Sequence, residues 1–189
     1  MRVWPTQLIA ALWLLWIVYW LIAAQSAKTT QRRESPLSRL AFLGAMLIVA
    51  LLLATHRGPA WLQVQLIPGG WIRYWCAVVL VVIGLAFSVW ARITLGSNWS
   101  GSVTVKIGHE LIQRGPYRYI RHPIYSGALL ALFGSGLAAG RVHGLLAFAL
   151  AFISLALKAR LEESWMTREF GERYAAYRSA SWALIPYVL

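Results

Sequence analysis

Apolar residues along this chain come in five long runs that are separated by shorter polar segments. Each run has 16 to 19 residues. At about 1.5 Å per residue, a helix of that length is roughly 24–28 Å long, close to the ~30 Å hydrocarbon core of a bilayer. We therefore expect an all-α integral membrane protein with five transmembrane helices, at residues 6–24, 40–55, 74–91, 125–140 and 142–157.

The last two runs are separated only at Gly140 and Arg141. One helix over both would have about 33 residues, which is too long for a bilayer. The break therefore predicts a tight helical hairpin over residues 125–157. Beyond it, residues 158–178 are polar but keep aromatic side chains at helical spacing. They predict a polar helix that continues out of the fifth span.

Basic residues outnumber acidic ones, with 18 Lys and Arg against six Glu and a formal net charge of +12. The basic residues lie between apolar runs, so anionic lipid headgroups explain them better than nucleic acid does. With five spans, residues 25–39, 92–124 and the tail share one side and hold 14 of the 18 basic residues. The positive-inside rule then places the N-terminus outside and the C-terminus in the cytoplasm.

The most polar and rigid stretch, GPYRYIRHPIY at 115–125, lies directly before the fourth run. Pro123 biases His122 towards an extended conformation and is typical of the first turn of a helix. Arg121 and His122 would then lie beside the free N–H groups of a helix start, where an anionic group can bind. An anchor among lipid headgroups is the alternative interpretation.

A second polar cluster, KARLEES at 158–164, follows the fifth run. Lys158 and Glu162 are four residues apart and so share a helix face. Carboxylates here could hold an ammonium group, although a solvated helix face is the alternative. A hairpin of the last two spans would bring Arg121 and His122 opposite Glu162 and Glu163, in a site suited to an amino-acid-like zwitterion.

These segments together resemble a known family, the isoprenylcysteine carboxyl methyltransferases and the related phospholipid methyltransferases. The resemblance lies in HELIQRGPYRYIRHPIYSG (109–127), KARLEESWMTREFGERYAAY (158–177) and LIP (184–186). It covers roughly residues 92–189, which would form the catalytic core. Residues 1–91 would add three transmembrane helices to the same membrane domain.

The resemblance implies an integral membrane methyltransferase that uses S-adenosyl-L-methionine and releases S-adenosyl-L-homocysteine. It places the cofactor site between the loop before the fourth helix and the C-terminal helix, on the cytoplasmic side. Lys158, where the family has a substrate-contacting arginine, or Arg160 would orient the acceptor, and Glu163 could take a proton from an amine. The implied cofactor-binding residues are His109, Glu110, Leu111, Ile112, Tyr117, Arg121, His122, Pro123, Ile124, Tyr125 and Glu162.

A carboxylate acceptor is already ionised at neutral pH and needs only desolvation and alignment. We therefore expect carboxyl O-methylation of an isoprenylcysteine-like lipid, with phosphatidylethanolamine N-methylation as the alternative. A non-enzymatic scaffold or small transporter is the alternative of another class, but a transporter would have polar groups near the bilayer midplane. Only Gln7 and Ser88 approach that position.

The partners expected from these patterns are a membrane lipid or another lipophilic acceptor, and anionic lipid headgroups. The sequence shows no persuasive spacing of metal ligands, so neither a metal nor nucleic acid is expected. The chain carries no targeting or retention tail, which favours a bacterial inner membrane with the active site facing the cytoplasm.

Overall fold

The computed structural model describes residues 4–26, 30–33, 35–55, 58–96, 99, 104–106 and 111–187. Most of this part of the chain is helical. The long helices are α1 (Trp4–Ala23), α2 (Pro36–Ala54), α3 (Trp71–Leu95), α4 (Pro123–Ala139) and α5 (Val142–Phe170), and a short α6 (Glu172–Ser179) follows them. Two short antiparallel strands, β1 (Thr30–Arg33) and β2 (Thr104–Lys106), pair with each other.

The helices confirm a helical membrane protein. By length and composition, α1, α2, α3 and α5 could each cross a membrane. Helix α4 is equally apolar in character but has only 17 residues, and so is shorter than those four. The fifth span and the orientation of the chain therefore stay predictions.

The polar tail differs from its prediction. The sequence predicts one helix over residues 158–178, but α5 ends at Phe170 and α6 begins at Glu172. Gly171 separates them with a φ of 52°. A residue with a Cβ adopts that conformation only at a cost, so glycine is favoured where the helix stops and the chain changes direction.

The predicted hairpin between α4 and α5 is present. Gly140 ends α4 in the left-handed conformation, with φ 61° and ψ 22°, and its N–H donates to Gly136 O. Gly136 and Gly144 let the two helices approach closely, because a Cβ on Gly136 would lie 2.9 Å from Gly144 O. The polar ends of α4 and α5 therefore lie at the same end of the bundle.

Helices α3 and α4 form the most tightly packed pair in the described part of the chain. A Cβ built on Gly84 of α3 would lie 2.5 Å from Gly127 O and 2.6 Å from Ala131 N of α4. Both neighbours are backbone atoms, which cannot move aside independently of their helix. The absence of a side chain at Gly84 thus sets the spacing of the helix pair that carries the start of α4.

Replacing Gly84 by alanine is expected to lower the unfolding temperature of the detergent-purified protein by several degrees, because overpacking costs about 1–3 kcal/mol. Gly44→Ala is the matched control, since nothing lies within 4 Å of a Cβ at that position of α2. Because alanine has a higher helix propensity than glycine, Gly44→Ala should stabilise the protein by up to about 1 kcal/mol. Equal unfolding temperatures for the two variants would contradict the close α3–α4 contact.

Helices α1 and α2 lie on the outside of the bundle. In the most apolar stretch of each helix, only 6% of the residues are buried. Two indole N–H groups fasten α1 to its neighbours: Trp13 donates to Ser135 Oγ at 3.0 Å, and Trp16 donates to Ser88 Oγ at 2.7 Å. Helix α2 packs on α5 instead. A long groove therefore runs between α1 and α2, with α4 as its floor.

Candidate functional site

The groove is a cavity of about 1290 Å³ that extends along the bundle. We call the end where α4 begins the near end, and the end where the α4–α5 turn lies the far end. Its middle is apolar and partly aromatic. The side chains there include Ile9, Trp13 and Trp16 of α1, Phe42, Met46 and Val49 of α2, and Ala128 and Leu132 of α4.

Four charged or ionisable side chains meet at the near end, as the hairpin predicts, and a fifth, that of Arg178, joins them. Arg121 Nε lies 2.7 Å from Glu163 Oε1. His122 lies between both carboxylates, with Nδ1 3.3 Å from Glu162 Oε2 and Nε2 3.3 Å from Glu163 Oε1. Arg178 approaches Glu163 from the other side, at 3.7 Å. The two sequence clusters thus form one ion-pair network.

The protonation of His122 follows from this arrangement. Burial alone would lower the pKa of His122, but the hydrogen bonds and charges of Glu162 and Glu163 raise its pKa above the ordinary value. This shift favours the imidazolium form, which can donate from both ring nitrogens at once. His122 therefore holds the two carboxylates as a fixed pair.

Glu162 is the carboxylate that faces the groove. Tyr125 OH donates a hydrogen bond to Glu162 Oε1, and the Tyr125 ring stacks on His122 with 5.6 Å between ring centres. Lys158, one helical turn before Glu162, places its Nζ 4.1 Å from the centre of the Phe42 ring. Lys158 and Glu162 both line the cavity, so a cation and a carboxylate lie side by side at its near end.

A segment that follows α6 bonds to the start of the ion-pair network, and only its last residue, Leu184, belongs to a motif of the family resemblance. We call residues 180–184 the C-terminal strap. The backbone N–H groups of Arg121 and His122 donate to Trp182 O and Ala183 O, at 2.8 and 3.0 Å. The Arg121 guanidinium donates to Ser181 O as well. Most of the bonding capacity of Arg121 is therefore directed at Glu163 and the strap.

A hydrogen bond between two tyrosines joins α6 to the segment that precedes α4. Tyr177 of α6 donates its hydroxyl proton to Tyr117 O. Burial, with the charge of Glu163 nearby, raises the pKa of Tyr177 to about 12, although Arg121 opposes the shift. Tyr177 thus stays protonated and acts as a donor over the whole neutral range.

The cavity contains most of the expected cofactor residues that the structure describes. His109 and Glu110 lie outside the described residues, and Pro123 is fully buried at the start of α4. Of the three expected catalytic residues, Lys158 lines the cavity, Glu163 lies behind it against Arg121, and Arg160 is exposed. The expected cofactor residues that line it are Leu111, Ile112, Tyr117, Arg121, His122, Ile124, Tyr125 and Glu162.

Arg92 also belongs to the structure around the site, although in the sequence it is only one of the basic residues of segment 92–124. It is 3% exposed in α3, donates to Ala23 O at the end of α1, and lies over the Trp99 ring at 4.6 Å. Its position directly after an apolar run was the one sequence feature that could have indicated this role. Arg92 fastens the near ends of α1 and α3 beside the aromatic wall of the groove.

The structure thus shows an integral membrane protein with a charged, hydrogen-bonded cluster at one end of an apolar groove. The chain belongs to the phospholipid methyltransferase family, whose profile matches residues 72–173. This range includes the hairpin and both halves of the ion-pair network.

Individual relatives are similar over part of their length. The uncharacterized protein YpbQ of Bacillus subtilis is 30% identical over 66 residues, 34% of this chain and 38% of that protein. A probable protein-S-isoprenylcysteine O-methyltransferase of Oryza sativa subsp. indica is 27% identical over 121 residues, 62% of this chain and 63% of that protein. The chain therefore spans less than two thirds of either relative.

The fold is shared with a solved structure, that of the eukaryotic intramembrane Ras methyltransferase. The TM-score is 0.57 at 20% sequence identity, and the match covers 84% of this chain and 55% of that one. Together these relationships establish a membrane protein related to methyltransferases.

Proposed function

We propose that this protein is an S-adenosyl-L-methionine-dependent methyltransferase that methylates the carboxylate of an isoprenylcysteine-like lipid at the membrane surface. The observation that carries the proposal is the placement of Lys158 and Glu162 side by side where the near end opens into the apolar groove. Residues 92–189 would form the catalytic core. The active site would face the cytoplasm of a bacterial inner membrane, because most basic residues lie on that side.

The near end offers groups that suit the polar part of the cofactor. Glu162 would accept hydrogen bonds from its ammonium or ribose, and Tyr125 and His122 orient that carboxylate. Tyr117 and Tyr125 would wall the adenosine, with Leu111 and Ile112 beside it. When bound, the cofactor supplies a methyl group on a positively charged sulfur, and the protein supplies position and exclusion of water.

The ion pairs of Glu163 bear on whether the methyl acceptor is a carboxylate or an amine. Glu163 accepts from Arg121, contacts the His122 imidazole and has Arg178 nearby, and it does not line the cavity. A carboxylate held by cations has little tendency to take up a proton, so Glu163 is poorly suited to deprotonating an amine. This supports an acceptor that is ionised before it binds. Lys158 would hold its carboxylate while the lipid chain lies in the groove.

Lys158→Gln is expected to raise the KM for an S-farnesylcysteine acceptor by about tenfold or more, because a charge-assisted hydrogen bond is lost. Arg160→Gln, which removes the same charge from an exposed position outside the cavity, should change it less than about twofold. The assay is transfer of labelled methyl to a base-labile ester by the detergent-purified protein. Calorimetric binding of S-adenosyl-L-homocysteine is measured beside it.

Three results would contradict parts of this proposal separately. Methyl transfer to phosphatidylethanolamine alone would make the protein an amine methyltransferase that acts on a phospholipid. An equal effect of both variants would remove Lys158 from its role. A folded protein that fails to bind S-adenosyl-L-homocysteine would overturn the methyltransferase assignment and favour the scaffold.

A further inference from the structure

We propose that the far end of the groove is a second lipid site, in which Arg73 and Arg141 bind the phosphate of an anionic phospholipid. Its acyl chain would lie in the adjoining apolar part of the groove. The site takes no part in methyl transfer as proposed above and stands independently of it. Four observations support this inference. A hydrogen-bonded loop positions the two arginines, and no described carboxylate balances their charge. They adjoin the apolar wall of the groove, and they lie far from the ion-pair network.

The scaffold is a loop that is fastened across the α4–α5 turn. Residues 64–67 bond to the turn, with Leu66 N and Ile67 N donating to Gly140 O at 2.9 and 3.1 Å and Val142 N donating to Val64 O at 3.1 Å. Gln65 pairs with Arg141 in an antiparallel bridge. The far end is thus a built surface and not a free connection between helices.

Both arginines are positioned by this scaffold through neutral groups. Arg141 Nη1 donates to Gln63 Oε1 at 2.6 Å. Arg73 Nη1 donates to Ile67 O, and its guanidinium lies over the Gly140 backbone and 4.6 Å from the centre of the Tyr74 ring. Arg73 Nε is buried without a hydrogen-bond partner among the described residues. The protein therefore orients two guanidinium groups without saturating them.

In the part of the chain that the structure describes, no carboxylate balances the charge of this pair. The chain has six acidic residues in all. The four glutamates that the structure describes, at 162, 163, 169 and 172, all lie on the near-end portion of α5 or on α6. Within the described residues the two arginines thus face no carboxylate. Guanidinium groups match phosphate in charge and in planar geometry, which makes phosphate the fitting counterion.

The far end is too distant to belong to the methyl-transfer site. Val142 and Glu162 are twenty residues apart on α5, which corresponds to about 30 Å along the helix. Arg73, Tyr74, Gln65 and Arg141 nevertheless line the same cavity as the apolar side chains of its middle. An anion with a hydrocarbon chain satisfies both surfaces, because its phosphate pairs with the guanidinium groups while its chain contacts the apolar wall. We therefore assign a lipid and not free phosphate.

The test uses native mass spectrometry of the delipidated protein, titrated with phosphatidylglycerol, phosphatidylcholine of the same chain length, and inorganic phosphate. Arg141→Gln is expected to weaken phosphatidylglycerol binding by about tenfold, because two or more charge-assisted hydrogen bonds are lost. Arg168→Gln is the matched control, since it removes one exposed charge near the end of α5. Arg141 is exposed, so its variant should fold, and thermal unfolding checks this.

A photoactivatable phosphatidylglycerol then locates the bound lipid by cross-linking. We expect cross-links in peptides that contain residues 63–75 and 138–146. Several outcomes overturn the proposal: equal weakening by Arg168→Gln, equal affinity for phosphatidylcholine, or cross-links confined to the near end. Displacement of the lipid by low-millimolar inorganic phosphate would show that the far end takes free phosphate instead.

Discussion

Glu162→Gln is expected to abolish measurable binding of S-adenosyl-L-homocysteine while the protein still folds. The change removes the only negative charge that the described residues of the cavity wall present, and it replaces an acceptor for Tyr125 and His122 by a group that also donates. Losing hydrogen bonds to a charged group costs about 1.5–3 kcal/mol each. Two such bonds to the ligand would lower the affinity by more than a hundredfold.

Calorimetry on the purified variants measures this directly. Glu169→Gln provides the control, because it neutralises an exposed carboxylate on the same helix. It should bind S-adenosyl-L-homocysteine as the parent does. If Glu162→Gln bound the ligand with unchanged affinity, Glu162 would have no part in holding the cofactor, and the polar end of the groove would need another assignment.

Arg121→Gln is expected to destabilise the protein by about 3 kcal/mol, because the buried Glu163 loses its shortest ion pair and keeps only the longer contacts with His122 and Arg178. The side chains of Arg121 and Glu163 are only 8% and 12% exposed. The change would also release the C-terminal strap, which Arg121 holds through Ser181 O. Thermal unfolding in detergent would show the loss as a large drop in the midpoint.

Arg118→Gln is the comparison, since Arg118 is exposed three residues earlier and carries the same charge. It should unfold close to the parent temperature. Arg121→Lys should recover only part of the stability. The planar guanidinium of arginine bonds to Glu163 and to the strap at once, and the compact ammonium of lysine cannot make both sets of hydrogen bonds. A variant Arg121→Gln as stable as Arg118→Gln would mean that the buried pair and the strap contribute little.

The hairpin and the opposition of the two polar clusters could be predicted because both depend on local signals. Apolar run length fixes where helices lie, and Gly140 marks the turn that brings their ends together. The break at Gly171 was missed because the aromatic spacing continues across it, and only the backbone conformation reveals the stop.

The division of roles within each cluster could not be predicted. Glu162 and Glu163 are neighbours on a helix, so they point about 100° apart, but the sequence does not say which one faces the groove. Arg121 looked available for a ligand because its partners in the strap lie 60 positions away. Such distant backbone contacts leave no periodic pattern in the sequence.

The strap also imposes an order on the assembly of the protein. Residues 120–122 bond to residues 182–183, which follow the hairpin and α6 in the sequence. During synthesis, the long helices can enter the membrane before these closing residues leave the ribosome, because a chain emerges N-terminus first. A nascent chain therefore carries the ion-pair residues before it carries the backbone acceptors that position them, and a competent site arises late in biogenesis.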